Sequence, residues 1–165
     1  MKKTSKLLIV FLCIFLTGCT DNEENNRTMY STEGLNHTEC TRAAYIDDDS
    51  TDVNINIDLY YDDNGYLKVF SSQEKITSKN TDTLDQYETA YKNIYKQYKN
   101  VKYYDNVVVR NSDSVVSTTK INYGRVDMDK IYEIEGKEDN VKAVNGKIKV
   151  DDWKSFAEKY GTICK

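Results

Sequence analysis

Val53-Asn54-Ile55-Asn56-Ile57-Asp58-Leu59-Tyr60 is the stretch that decides the fold. Val53, Ile55, Ile57 and Leu59 alternate with polar residues, the period of a strand that is apolar on one face only and pairs in an antiparallel sheet. Asp62-Asp63-Asn64-Gly65 follows, residues that tolerate positive φ, and Tyr66 to Thr77 then reads as the return strand of a hairpin. Upstream, Cys40 to Ile46 suits a first strand, with Asp47-Asp48-Asp49-Ser50 as its turn.

Downstream the period changes. Leu84, Tyr87, Tyr91, Ile94, Tyr95 and Tyr98 share one stripe of a helix over Asp82 to Asn100. Thr81 or Asp82 can cap its start, and Lys92, Lys96 and Lys99 complement the dipole at its end. The tyrosine rings are expected to pack on the sheet with their hydroxyls at the rim, in preference to forming a carbohydrate-stacking surface. Val101 to Arg110 and Ser114 to Tyr123 suggest a second hairpin, turning at Asn111-Ser112-Asp113. A short helix is expected over Asp127 to Glu135, stopped by Gly136, and no clear pattern runs from there to Val150. Asp151 can cap a last helix with Trp153, Phe156, Ala157 and Tyr160 on its apolar face and Gly161 as its stop. Without βαβ regularity the class is α+β: an antiparallel sheet built from hairpins, with two main helices packed on it.

The N-terminus carries an address. Lys2, Lys3 and Lys6 precede an apolar run from Leu7 to Leu16, and Leu16-Thr17-Gly18-Cys19 closes the stretch. The run is too short to span a bilayer, which takes about 20 apolar residues, and fits an export signal. Small residues before a cysteine make it a lipobox. Residues 1–18 are therefore expected to be a lipoprotein signal peptide, with a diacylglyceryl group on Cys19. At about 0.8 kcal/mol per buried CH₂, two acyl chains anchor stably where one does not. Residues 19–36 are polar and aperiodic and read as the lipidated cysteine and a flexible tether. Residues 37–165 read as one domain.

Cleavage would remove three lysines and leave 20 basic against 27 acidic residues, net −7. That balance argues against nucleic acid and against adsorption to anionic lipid by charge. Of the four cysteines, Cys13 leaves with the signal and Cys19 takes the lipid, so Cys40 and Cys164 remain. Neither has a neighbouring Cys or His in a ligand spacing. A disulfide is expected between them, over a metal pair or a reactive thiol. The lack of proline and abundance of Asn, Lys, Ile and Tyr suit a low-GC Gram-positive source, and the lipid anchor would then hold the domain at the outer face of the cytoplasmic membrane.

The chain resembles the YehR-like lipoproteins, small bacterial lipoproteins without assigned activity. The resemblance is carried by LTGC, by YKNVKYYDN from Tyr98 to Asn106 and by TTKINYGRVDMDKI from Thr118 to Ile131; the terminal YGTICK looks like the Gram-positive members. It implies an α+β domain on an antiparallel sheet and supplies no catalytic residues.

Enzyme chemistry finds little support. His37, the single histidine, falls at the junction of tether and domain, and no phosphate loop, HExxH or CxxC is present. The acidic groups Asp47, Asp48, Asp49, Asp52 and Asp58, Asp62, Asp63 lack EF-hand spacing and read as solvated turns. No metal or cofactor other than the lipid is expected. The reading is a lipid-anchored extracytoplasmic module, non-enzymatic, that binds an envelope protein or ligand. A small carboxylate-dependent hydrolase and an accessory solute-binding lipoprotein are the alternatives.

Overall fold

The computed structural model describes residues 29–45, 50–138 and 140–165. Among these residues six strands and three helices follow in the order β1 (Asn36–Tyr45), β2 (Thr51–Tyr61), β3 (Leu67–Ser78), α1 (Thr81–Lys96), β4 (Tyr104–Arg110), β5 (Ser114–Asn122), α2 (Met128–Glu135), α3 (Val150–Glu158) and β6 (Ile163–Cys164). The strands form one sheet in the order β4-β5-β3-β2-β1-β6, and every pairing is antiparallel. This is the α+β architecture that the alternating stretch around Ile55 implies. No helix among the described residues is long and apolar enough to cross a membrane.

One face of the sheet carries the core. Ile55, Ile57 and Leu59 of β2 are buried and Val53 is half-buried, while Asn54 and Asn56 point outward and are exposed. The register aligns Leu59 with Phe70 and Ile121, and Val53 with Ile76 and Val115, so the apolar parity continues across three strands. All three helices pack on this face. The larger core cluster joins Ile55, Ile57, Leu59 and Ile121 to Met128, Ile131, Trp153 and Ala157. A smaller one joins Ile76 and Val115 to Leu84, which is fully buried.

The ends of the elements differ from the sequence expectation in instructive ways. Asn80, not Thr81 or Asp82, caps α1, its Oδ1 accepting from the N–H groups of Asp82 and Thr83. Helix α1 stops at Lys96, and Tyr98 and Val101 sit in turns that still place both side chains in the core. Ile94 leaves the expected stripe and is 47% exposed. Helix α3 starts at Val150 with Lys149 as its cap residue and no side-chain cap bond, so Asp151 and Asp152 occupy the first turn and act through the helix dipole. The aperiodic segment before it is an arm laid on the sheet: Leu67 donates to the Ile148 carbonyl and Val150 to that of Gly65.

Strand β1 begins at Asn36, four residues ahead of the expected Cys40. Part of the expected tether is packed as well. Tyr30 is buried, and the Asn122 amide donates to the Met29 carbonyl at 2.6 Å. Tyrosine is the apolar residue that polar composition around it conceals. Residues 1–28, with the expected signal and Cys19, lie outside the described residues, as do Ile46 to Asp49. At the other end, β6 pairs Cys164 with Cys40 and Ile163 with Thr41. A disulfide joins Cys40 and Cys164, with Cα atoms 4.0 Å apart.

Candidate functional site

Two polar elements interrupt the covered face, and both arise from residues whose inward parity contradicts their polarity. The first lies under α1. Asn106 of β4 donates through Nδ2 to Ser117 Oγ at 3.1 Å and Thr119 Oγ1 at 2.8 Å, and Thr119 donates to the Tyr95 hydroxyl at 3.2 Å. Tyr91 donates to Glu74 at 2.9 Å and Tyr98 to Glu135 at 2.6 Å. The tyrosine stripe therefore packs on the sheet as expected, and its rings form a continuous series ending in a stacked Tyr98–Tyr104 pair with centroids 4.3 Å apart. Burial, followed by the carboxylate each ring meets, raises the hydroxyls of Tyr91 and Tyr98 well above the ordinary tyrosine range. These rings stay neutral donors. Tyr91 ties α1 to β3, and Tyr98, past the end of α1, reaches Glu135 of α2.

The second element is a cleft between α3 and strands β1 to β3. Its walls are Ile55, Phe70, Trp153, Phe156 and Tyr160, and Arg42 and Glu74 line it too, with a volume near 150 Å³. Arg42, Ile55 and Glu74 form one row across three strands, which separates the backbones of Arg42 and Glu74 by about two strand spacings of 4.8 Å. The Arg42 side chain is half-buried and makes no ion pair or hydrogen bond with the described residues, while Glu74 is held by Tyr91. Phe70 and Trp153 meet with centroids 5.6 Å apart, as do Phe156 and Tyr160 at 5.3 Å. Beyond Phe156 and Tyr160 a wider, more polar groove of about 480 Å³ opens towards Glu138, Lys142 and Asp152. Tyr160 is 55% exposed at the rim common to both.

The open face holds a third group. His37 and Glu39 project from β1, and Asp58 projects from β2. His37 Nε2 lies 2.9 Å from Asp58 Oδ1, and its ring stacks on Tyr60 with centroids 4.5 Å apart. Burial, then the charges of Asp58 and Glu39, push the Tyr60 hydroxyl up.

Of the residues singled out in the sequence, Cys40 and Cys164 are brought together. Asp62 serves the β2–β3 turn, accepting from the N–H groups of Tyr66 and Asn64 and pairing with Lys68. Those bonds from the Tyr66 N–H, Lys68 and Asn64 hold its carboxyl below the usual carboxylate range against the opposing effect of burial. Arg42, Glu74 and the α3 aromatics as a joint cleft were not foreseen. The available signal was parity: Arg42 shares a strand face with buried Cys40, and Glu74 shares one with buried Ile76.

An antiparallel sheet with all the described helices on one face, and an aromatic-walled cleft beneath one of them, defines a small α+β domain. Its structural relatives include the NMR structure of E. coli YehR, matched with a TM-score of 0.57 at 14% identity over 79% of this chain and 92% of that one. The fold is thus that of YehR, in agreement with the sequence resemblance. An NMR structure of a protein from Streptococcus pneumoniae TIGR4 aligns over 100% of this chain and 98% of that one, with a TM-score of 0.43 at 13% identity. No protein-family model matches the sequence, and no curated protein sequence aligns with it significantly.

Proposed function

We propose that this protein is a lipid-anchored extracytoplasmic binding module and that the cleft beneath α3 receives its ligand. The observation that supports this reading is the cleft itself: an aromatic-walled space beside an arginine that no described residue pairs with. Small-molecule sites are mostly apolar and orient their ligand with a few polar groups. A space near 150 Å³ matches one aromatic ring, since an engineered cavity of about that size takes benzene. Arg42 suits an anionic substituent on that ring. Hydrolysis by paired carboxylates would need two acids, and Glu74 is the single acid lining this cleft. Cys19 would carry the diacylglyceryl anchor, and the envelope would supply the ligand or partner.

Trp153 is the chain's one tryptophan, so its emission reports the cleft directly. Titration of the full chain with phenylacetate should give a saturable change in that emission. A charge-assisted hydrogen bond is worth about 1.5–3 kcal/mol, so Arg42→Ala should weaken binding by about 10- to 100-fold. An Arg42→Ala protein that binds phenylacetate as well as the native chain removes the proposal. The anchor is tested separately: Cys19→Ala should release the protein from the membrane fraction after alkaline extraction, and retention there refutes lipidation at Cys19.

A further inference from the structure

The open face of the sheet presents His37, Glu39 and Asp58 in an arrangement that the ligand cleft does not use. His37 and Glu39 are two residues apart on β1 and share a face, and Glu39 sits directly opposite Asp58 in the register. One ligating atom from each of the three lies within 4.8 Å of the others. Two carboxylates directly opposed on neighbouring strands repel each other, which disfavours the pairing unless something cationic stands between them. Among the described residues, Glu39 has no ion pair or hydrogen-bonded side-chain partner. Tyr60, opposite His37, stacks on the imidazole and holds its plane in place.

We propose that His37, Glu39 and Asp58 form a surface site for a divalent transition cation of the zinc type. Tetrahedral zinc with ligand bonds of about 2.0–2.1 Å sets ligand atoms about 3.3 Å apart. The His37–Asp58 pair already stands at 2.9 Å, and a side-chain rotation of exposed Glu39 closes the third ligand. Imidazole with two carboxylates suits zinc better than calcium, which takes six to eight oxygen ligands. Three protein ligands leave a fourth position open to water, as in sites where zinc meets an external ligand.

The test uses the untagged full chain, stripped of metal and with free thiols blocked by iodoacetamide, titrated with zinc chloride. His37 is the only histidine, so its imidazole signals in the proton NMR spectrum report the site without ambiguity. One equivalent of zinc at pH 7.5 should shift those signals and give a one-site calorimetric isotherm. His37→Ala and Asp58→Asn should each weaken binding by at least about tenfold, while Asp113→Asn on the far β4–β5 turn should not. Because the ligands must be unprotonated, affinity should fall on moving to pH 5.5. Imidazole signals unmoved by zinc, or an isotherm that survives His37→Ala, overturn the assignment. Thermal melts of each variant show that it is folded, and since all three side chains lie on the open face, melting temperatures close to native are expected.

Discussion

Reducing the bridge between Cys40 and Cys164 should cost the fold several kcal/mol, and the structure sets both the size and the location of the loss. The two cysteines are 124 positions apart, and closing a loop of that length removes about 5 kcal/mol of entropy from the unfolded chain. Measured losses for such bridges run about 2–5 kcal/mol. What remains to hold β6 is slight. It pairs through two residues, with one further bond from the Lys165 N–H to the Glu39 carbonyl, and Ile163 is 67% exposed. Backbone bonds worth about 1 kcal/mol each do not offset an ordering cost of about 1–2 kcal/mol per residue. The terminal strand should therefore fray once reduced. That removes cover from Cys40, now 1% exposed, and from the Thr162 side of the cleft.

Urea unfolding with and without a phosphine reductant, followed by Trp153 emission, measures the loss. The reduced chain should unfold at lower urea, with a steeper denaturant dependence because its unfolded state is more open. Amide exchange at Lys165 should quicken in the reduced chain under native conditions. If the two forms agree in stability within about 1 kcal/mol, the entropic reasoning fails. If stability falls while Lys165 stays protected, β6 is held by more than the pairs described.

Three further outcomes follow from separate parts of the fold. Leu84→Ala should destabilise by about 3 kcal/mol in urea, since the side chain is fully buried between Ile76 and Val115; phenylacetate binding should persist, because that cluster is separate from the cleft. Asn80→Ala should cost about 1 kcal/mol by removing the acceptor for two N–H groups of α1, read as a lower melting temperature. Asp62, whose folded carboxyl titrates below its unfolded value, should add stability above about pH 4 that is lost as the pH falls through the folded value. The gap between urea midpoints at pH 5 and pH 2.5 should therefore narrow in Asp62→Asn, and an unchanged gap would show that the turn does not depend on that charge.

What the sequence made legible follows from periodicity. Val53 to Leu59 fixed a strand with one buried face, Asp62 to Gly65 fixed its turn, and the spacing from Leu84 to Tyr98 fixed a helix. Each pattern is local and is written by burial on one side of one element. Features lacking such a pattern were missed. Asn145-Gly146 makes a tight turn with positive φ at both residues, bridged by Val144 and Lys147, and the alternation of Ile148 and Val150 with Lys147 and Lys149 beside it is too short to stand out as a strand. Asn36, His37 and Glu39 of β1 are exposed and Thr38 is buried, but the polar composition hid the strand.

The candidate sites were hidden for a different reason, which also shows how to find them. Arg42, Ile55 and Glu74 come from three strands, and His37 meets Asp58 across 21 positions. Register alone creates both groups, and no single element records register. Yet each strand carries the hint of a broken rule. On β1 the parity that buries Cys40 also carries Arg42, and on β3 the parity that buries Ile76 also carries Glu74. A charge on the inward parity costs free energy unless it is paired or left beside an opening. Glu74 is satisfied by Tyr91, but Arg42 has no such partner among the described residues, so its place is at the opening. The same logic runs on the outward face, where Glu39 and Asp58 oppose each other although free choice of polar residues would let them avoid it. Departures from the pattern that makes the fold are therefore the positions at which binding is to be sought.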